Sequence, residues 1–161
     1  MPESPSSFAE LLQKRILPNV LRIAILVSTI GFAFLLLHLP GADQLIMIGL
    51  SSLAMAFFFL AYVPLSVSTT NKPDLYALIT YKIICIGSSV ATIGILFQFL
   101  KLQGAPELLM IGAATTGISL IASVVLVAKN KDNGVVLNDA IMRGTGIFLV
   151  CVYMMQQASI F

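Results

Sequence analysis

The chain has 161 residues, of which 58% are hydrophobic and 10% charged, with a mean hydropathy of +1.00. A water-soluble domain carries about 25% charged residues, so there is too little polar surface here to cover a water-facing globule, which argues against a soluble enzyme. The net charge of +2, from 9 basic against 7 acidic residues, is too small and too scattered for a nucleic-acid patch, and no nucleic acid is expected as a partner.

The first element is amphipathic. Ser7 with Glu10 three residues on fits a capping box. Phe8, Leu11, Leu12 and Ile16 then share one face, with Lys14 and Arg15 placed for lipid headgroups. This predicts a tail over 1–17 whose helix lies on the cytoplasmic membrane surface, with Pro18-Asn19 separating it from the first span. No cleavable signal peptide is evident, because the first basic residues come late and the first apolar run continues into a hairpin.

A helix crosses about 30 Å of hydrocarbon with about 20 apolar residues. Ile23–Leu39 is free of charge and extends back to Val20 with Arg22 at the interface. Leu45–Leu65 and Leu108–Ala128 are uncharged over the full length that a crossing needs. Ile83–Leu100 is uncharged as well, and reaches back to Leu75 where Lys82 snorkels. A fifth segment, Val135–Met155, holds Asp139 and Arg143, four residues apart and therefore on one helix face, where they can pair near the membrane surface as an interfacial ion pair. The predicted fold class is an all-α membrane protein with five transmembrane helices. Its parts are the tail 1–17, a hairpin over 18–66, a cytoplasmic loop over 67–74, a second hairpin over 75–129, and a loop with the fifth helix over 130–161.

Lys14, Arg15, Arg22, Lys72, Lys82, Lys129, Lys131 and Arg143 fall near one side of such a topology and Lys101 near the other. By the positive-inside rule the N-terminus is cytoplasmic and Phe161 external. Cys85 and Cys151 lie within predicted spans and read as small apolar residues; neither a disulfide nor a metal site follows from them.

The most informative pattern is an internal repeat. Thr29-Ile30-Gly31 matches Thr92-Ile93-Gly94, Phe34 matches Phe97, and Gly41-Ala42 matches Gly104-Ala105, all at one constant offset. Met47-Ile48-Gly49 matches Met110-Ile111-Gly112 at that same offset, giving 12 identities over the 22 positions Ser28–Gly49. Hydrophobicity alone explains the leucines but not the glycines. The pattern predicts two tandem duplicated hairpins, each a span, a turn of about four to six residues and a return span. The copies would be related by an axis along the membrane normal. Ser52/Ala56, Gly87/Ala91, Ala113/Gly117 and Ser119/Ser123 have the four-residue spacing of small residues that mark helix contact faces in lipid.

The stretch Gly31-Phe32-Ala33-Phe34-Leu35-Leu36-Leu37-His38-Leu39-Pro40-Gly41-Ala42-Asp43, followed by Met47-Ile48-Gly49-Leu50 and Phe57-Phe58-Phe59-Leu60-Ala61-Tyr62, resembles the transmembrane hairpin of the GldL family. That family supplies the inner-membrane motor subunit of gliding motility and type IX secretion. The resemblance covers Ser28 to Val63, with a weaker echo in Ala91 to Leu126; beyond the first hairpin, three further spans stand where the family has a long soluble tail. The family's hairpin carries a lysine three residues before the turn histidine and a glutamate early in the return helix. Those positions hold Leu35 and Leu53 here, and Gln98 and Thr116 in the second hairpin. The resemblance therefore implies a shared hairpin architecture without the charge change that a proton-driven motor needs.

The remaining polar residues divide into three groups. His38, the one histidine, aligns with Lys101, while Asp43 and Glu107 begin the two return helices, where negative charge favours a helix N-terminus. Together these four can form an external polar cluster. As a single group, His38 is of the type that gains a proton near neutral pH, or else bonds the turn carbonyls at the headgroup boundary. Gln98 and Thr116, with the span hydroxyls, are candidates to line a path between the hairpins. Asp139–Arg143 is either a snorkelling pair or a coupling pair. There are no paired catalytic carboxylates, no Ser/His/Asp set, no phosphate-cradling loop and no metal-ligand cluster in the pattern, so no catalytic, cofactor-binding or metal residues are assigned and enzymatic activity is not expected. The expectation is a non-enzymatic scaffold or interaction component of an envelope complex. Its partners would be the lipid bilayer and either further copies of the chain as a homo-oligomer or other membrane proteins. The alternative is a small transporter or channel with a Ser/Thr/Gln-lined path.

Overall fold

The computed structural model describes residues 17–62, 74–130 and 134–158. They form five helices, α1 (Leu17–Leu36), α2 (Ala42–Tyr62), α3 (Leu75–Phe99), α4 (Ala105–Lys129) and α5 (Gly134–Ala158), with no strand among the described residues. All five are long and apolar enough to cross a membrane, and the chain is a multi-pass, all-α membrane protein. The surface helix expected before Leu17 lies outside the described residues. Pro18-Asn19 falls in the first turn of α1, where a proline is tolerated because that N–H has no intrahelical partner anyway.

Both interhelical turns, 37–41 and 100–104, are built alike. His38 and Lys101 each have φ 52°, in the left-handed region, and Gly41 and Gly104 have φ 91° and 88°. In the first turn the His38 N–H donates to the Leu35 carbonyl (3.1 Å) and the Leu39 N–H to the Phe34 carbonyl (3.0 Å). In the second, Lys101 donates to Gln98 (3.2 Å) and Leu102 to Phe97 (2.9 Å). This is the Schellman closure, which satisfies carbonyls that a helix end would otherwise leave bare in lipid. The next helix then starts at once, with Leu45 donating to Gly41 (3.2 Å) and Leu108 to Gly104 (3.1 Å).

The helices of each hairpin meet through glycine. A Cβ on Gly49 would stand 2.7 Å from the Ser28 backbone nitrogen, and one on Gly112 would stand 2.6 Å from that of Ala91. The two contact pairs are equivalent under the repeat, Gly49 corresponding to Gly112 and Ser28 to Ala91. Lipid provides little hydrophobic drive for helices to associate, so this backbone approach supplies the van der Waals contact that holds each hairpin together.

α3 occupies the middle of the bundle. α3 packs on α2, α4 and α5; α4 also packs on α5, and α1 packs chiefly along α2. One core cluster joins Ile46 and Leu50 of α2 to Ala91 and Ile95 of α3, Leu109 of α4 and Cys151 of α5. A second, nearer the opposite ends of the helices, joins Ala61, Ala77, Tyr81, Ile84, Cys85, Leu137 and Ala140. Cys85 and Cys151 are both buried and free, and the Cys151 thiol donates weakly to the Leu109 carbonyl (3.4 Å).

Candidate functional site

Two polar places interrupt the apolar bundle. The inner one is built on α3, where Tyr81, Cys85 and Ser88 recur at the i, i+4, i+7 spacing that aligns side chains on one helix face. They line a cavity of about 10 Å³ with Phe57 and Leu60 of α2 and Arg143 of α5. Arg143 is the tenth residue of α5, so the helix carries it well beyond its own start. It pairs with Asp139 at 2.5 Å; the two side chains are 33% and 69% exposed respectively. The pair thus spans from the bundle's outside to its interior: the carboxylate stays outside while the arginine borders the cavity beside Tyr81, Cys85 and Ser88. The adjacent Gly144 makes room for this, since a Cβ there would stand 3.1 Å from Ile84.

Ser88 is distinctive within this niche. Its hydroxyl is buried, with the residue 1% exposed, and has no hydrogen-bond partner. Most other buried hydroxyls are engaged with backbone. Ser28, Thr92, Thr116, Ser119 and Ser123 each donate to the carbonyl four residues earlier at 2.7–2.8 Å. Ser89 donates across to the Ala54 carbonyl of α2 at 2.9 Å.

The outer place is a cleft of about 830 Å³ near the two turns, bounded by α1, α3 and α5. Phe32, Leu35, Phe99 and Met154 supply apolar wall, while Asp43, Gln98 and Lys101 supply the polar rim. The cleft stands open because α1 packs along α2 while α5 packs on α3 and α4, and the two hardly meet each other. Phe32 and Phe99 meet edge to face at 5.0 Å across its base. Phe32 also borders a second groove of about 180 Å³ that continues between α1 and α5, past Ser28, Leu53, Thr92 and Gly146.

Of the four residues expected to form an external cluster, the structure brings Asp43 and Lys101 to one cleft; His38 and Glu107 do not line it. All four are exposed, and among the described residues no ion pair within 4.0 Å joins them. Asp43 and Glu107 occupy the first turns of α2 and α4, at the favourable end of each helix dipole. His38 contributes its backbone to the turn through its left-handed conformation. The two path candidates are separated: Gln98 is half-buried on the cleft, whereas Thr116 is 0% exposed and donates to Gly112 within its own helix. Thr116 fills the space beside Gly87, whose Cβ would lie 3.0 Å from its hydroxyl oxygen.

Sequence reasoning missed the convergence of Tyr81, Cys85 and Ser88 on Arg143. The signal available was the polar stripe on α3, but nothing in one helix states which other helix it faces. Comparison with protein-family models, with curated proteins and with solved structures finds no match to this chain.

Proposed function

We propose that the protein is a non-enzymatic component of a bacterial inner-membrane assembly, a scaffold built from a duplicated GldL-like hairpin that lacks the motor charges. Its N-terminus faces the cytoplasm and its C-terminus the outside. What carries this reading is the way the buried hydroxyls are used. Ser28, Ser89, Thr92, Thr116, Ser119 and Ser123 are turned onto backbone carbonyls, so they are spent within the bundle, and among the described residues Ser88 alone is left as a buried hydroxyl without a partner. The positions that bear the family's lysine and glutamate are apolar in the first hairpin, at Leu35 and Leu53, and neutral in the second, at Gln98 and Thr116. The matching turns and the matching glycine contacts support descent of the two hairpins from one unit.

Crosslinking in native membranes, followed by light scattering of the full chain in a mild detergent, tests the proposal. A scaffold gives a protein mass at least twice that of the 17.3 kDa chain. A lone monomer under both conditions overturns it. The transporter reading makes the opposite demand: solute flux in proteoliposomes that is lost in Gln98→Leu or Thr116→Val.

A further inference from the structure

We infer that the outer cleft and the groove beneath it are a binding site for one phospholipid with a phosphoethanolamine headgroup. The argument begins with the lining. Below Phe32 the groove is walled by Ile25, Leu50, Leu53, Ile95 and Val150. The hydroxyls bordering it are already committed: Ser28, Thr29 and Thr92 donate to Ala24, Ile25 and Ser88 respectively at 2.7–2.8 Å. The groove therefore presents an apolar wall suited to an acyl chain. The groove is open beside Gly146, where a Cβ would meet nothing within 4 Å.

The rim selects the headgroup. Lys101 and Asp43 stand on the same cleft, and among the described residues neither has an ion-pair partner within 4.0 Å, so each charge can meet a ligand. A phosphodiester matches the lysine, and a primary ammonium two carbons away matches the carboxylate. The half-buried Gln98 amide adds a donor and an acceptor at the same rim. An anionic headgroup would satisfy Lys101 but meet Asp43 with like charge. A choline headgroup carries no N–H with which to bond the carboxylate. The cleft's volume of about 830 Å³ lies in the range of about 300–1,000 Å³ usual for ligand sites. The site is independent of the scaffold reading, since a lipid can occupy it whether the chain is alone or assembled.

The test is native mass spectrometry of the full chain released from mild detergent. Dioleoyl phosphatidylethanolamine, phosphatidylcholine and phosphatidylglycerol are each added at the same concentration. The ethanolamine lipid is expected to be retained about tenfold better than either other lipid, the size of a single charge-assisted contact at about 1.4 kcal/mol. Lys101→Gln, which removes the partner of the phosphodiester that all three lipids share, lowers retention of each, and Asp43→Asn removes the preference and shifts retention towards phosphatidylglycerol. Gly146→Phe, at a position where a Cβ meets nothing within 4 Å, places a ring at the groove and abolishes adducts of all three lipids. Glu107→Gln, at the same end of the molecule but off the cleft, leaves the preference intact. Equal retention of the three lipids by the unaltered chain overturns the inference. So does a preference that survives Asp43→Asn, retention undiminished in Lys101→Gln, or adducts undiminished in Gly146→Phe.

Discussion

The two hairpins share their turn geometry and their glycine contacts, yet their first helices differ in place: α3 is central and α1 peripheral. In α3, 61% of the apolar span is buried, against 22% in α1. The cause lies in residues outside the shared pattern. Ile25 and Leu26 of α1 are 45% and 61% exposed; their counterparts in the repeat are Ser88 and Ser89, which are 1% and 5% exposed. Small side chains at these two positions let α3 approach α2 and α5 on faces that α1 covers with branched aliphatics. The glycines thus close a hairpin, and the residues flanking them decide whether that hairpin acquires neighbours. In lipid, where burying an isoleucine against a helix gains little over burying it in acyl chains, this choice rests on fit.

The sharpest way to break the comparison is to load the shared glycine. Gly112→Val places atoms within 2.5 Å of the Ala91 Cα, where only backbone can give way. The expected loss is about 3 kcal/mol or more, or failure to accumulate in the membrane. Gly49→Val meets Ser28 in the same manner but parts a hairpin whose α1 has few other neighbours, so the remaining helices stay folded. Denaturant titration in detergent, followed by circular dichroism, should show one cooperative loss for Gly112→Val and a partial one for Gly49→Val. Identical cooperative losses would mean that the first hairpin is as integral as the second. Next in size is Ser89→Leu, which restores at α3 the side-chain type that α1 carries at Leu26. It should cost about 2 kcal/mol by forcing α2 away and removing the bond to Ala54. Leu26→Ala, on an exposed face, should change stability by less than about 0.5 kcal/mol.

Much of this organisation is written plainly in the chain. The spans are, because apolar length is a one-dimensional property: the runs at Leu45–Leu65 and Leu108–Ala128 lie largely within α2 and α4. Hydropathy carries the first run on to Leu39, but α1 ends at Leu36, because the Schellman closure around His38 is a backbone event that hydropathy does not register. The repeat itself points to the glycine contacts. The sites are less legible. Asp43 and Lys101 share a cleft because α1 and α5 fail to meet, and Arg143 borders one cavity with Tyr81 because α5 docks on α3. Both depend on which helices adjoin, which spacing within one helix cannot specify. Asp139 and Arg143, by contrast, pair within a single helix, and their i, i+4 separation is sufficient to suggest it.

The turns provide a smaller and more symmetric test. His38 and Lys101 hold φ 52° at the position where helix termini favour glycine. A non-glycine residue there bears about 1 kcal/mol of backbone cost. His38→Gly and Lys101→Gly should therefore each raise stability by up to about 1 kcal/mol, and by the same amount at both turns, read as the midpoint of thermal unfolding in detergent. A gain at Lys101 and a loss at His38 would give the histidine side chain a role that its exposed position does not suggest.

The finest distinction separates two adjacent serines. Ser89 donates across the α2–α3 contact, so Ser89→Ala should lose about 0.6 kcal/mol, the usual worth of an interhelical hydrogen bond in a membrane protein. Ser88 is as deeply buried, but its hydroxyl has no partner, so its desolvation is uncompensated. Ser88→Ala should be neutral or raise stability by up to about 1 kcal/mol, because it removes a group that binds nothing while leaving the backbone carbonyl that Thr92 uses. Opposite signs at neighbouring positions would show that the serine pair of α3 does two jobs, one face fastening α2 and the other keeping a polar lining beside Arg143. A loss at Ser88 as large as at Ser89 would instead mean that its hydroxyl is engaged in the membrane, where Tyr81, Cys85 and Arg143 border the same cavity.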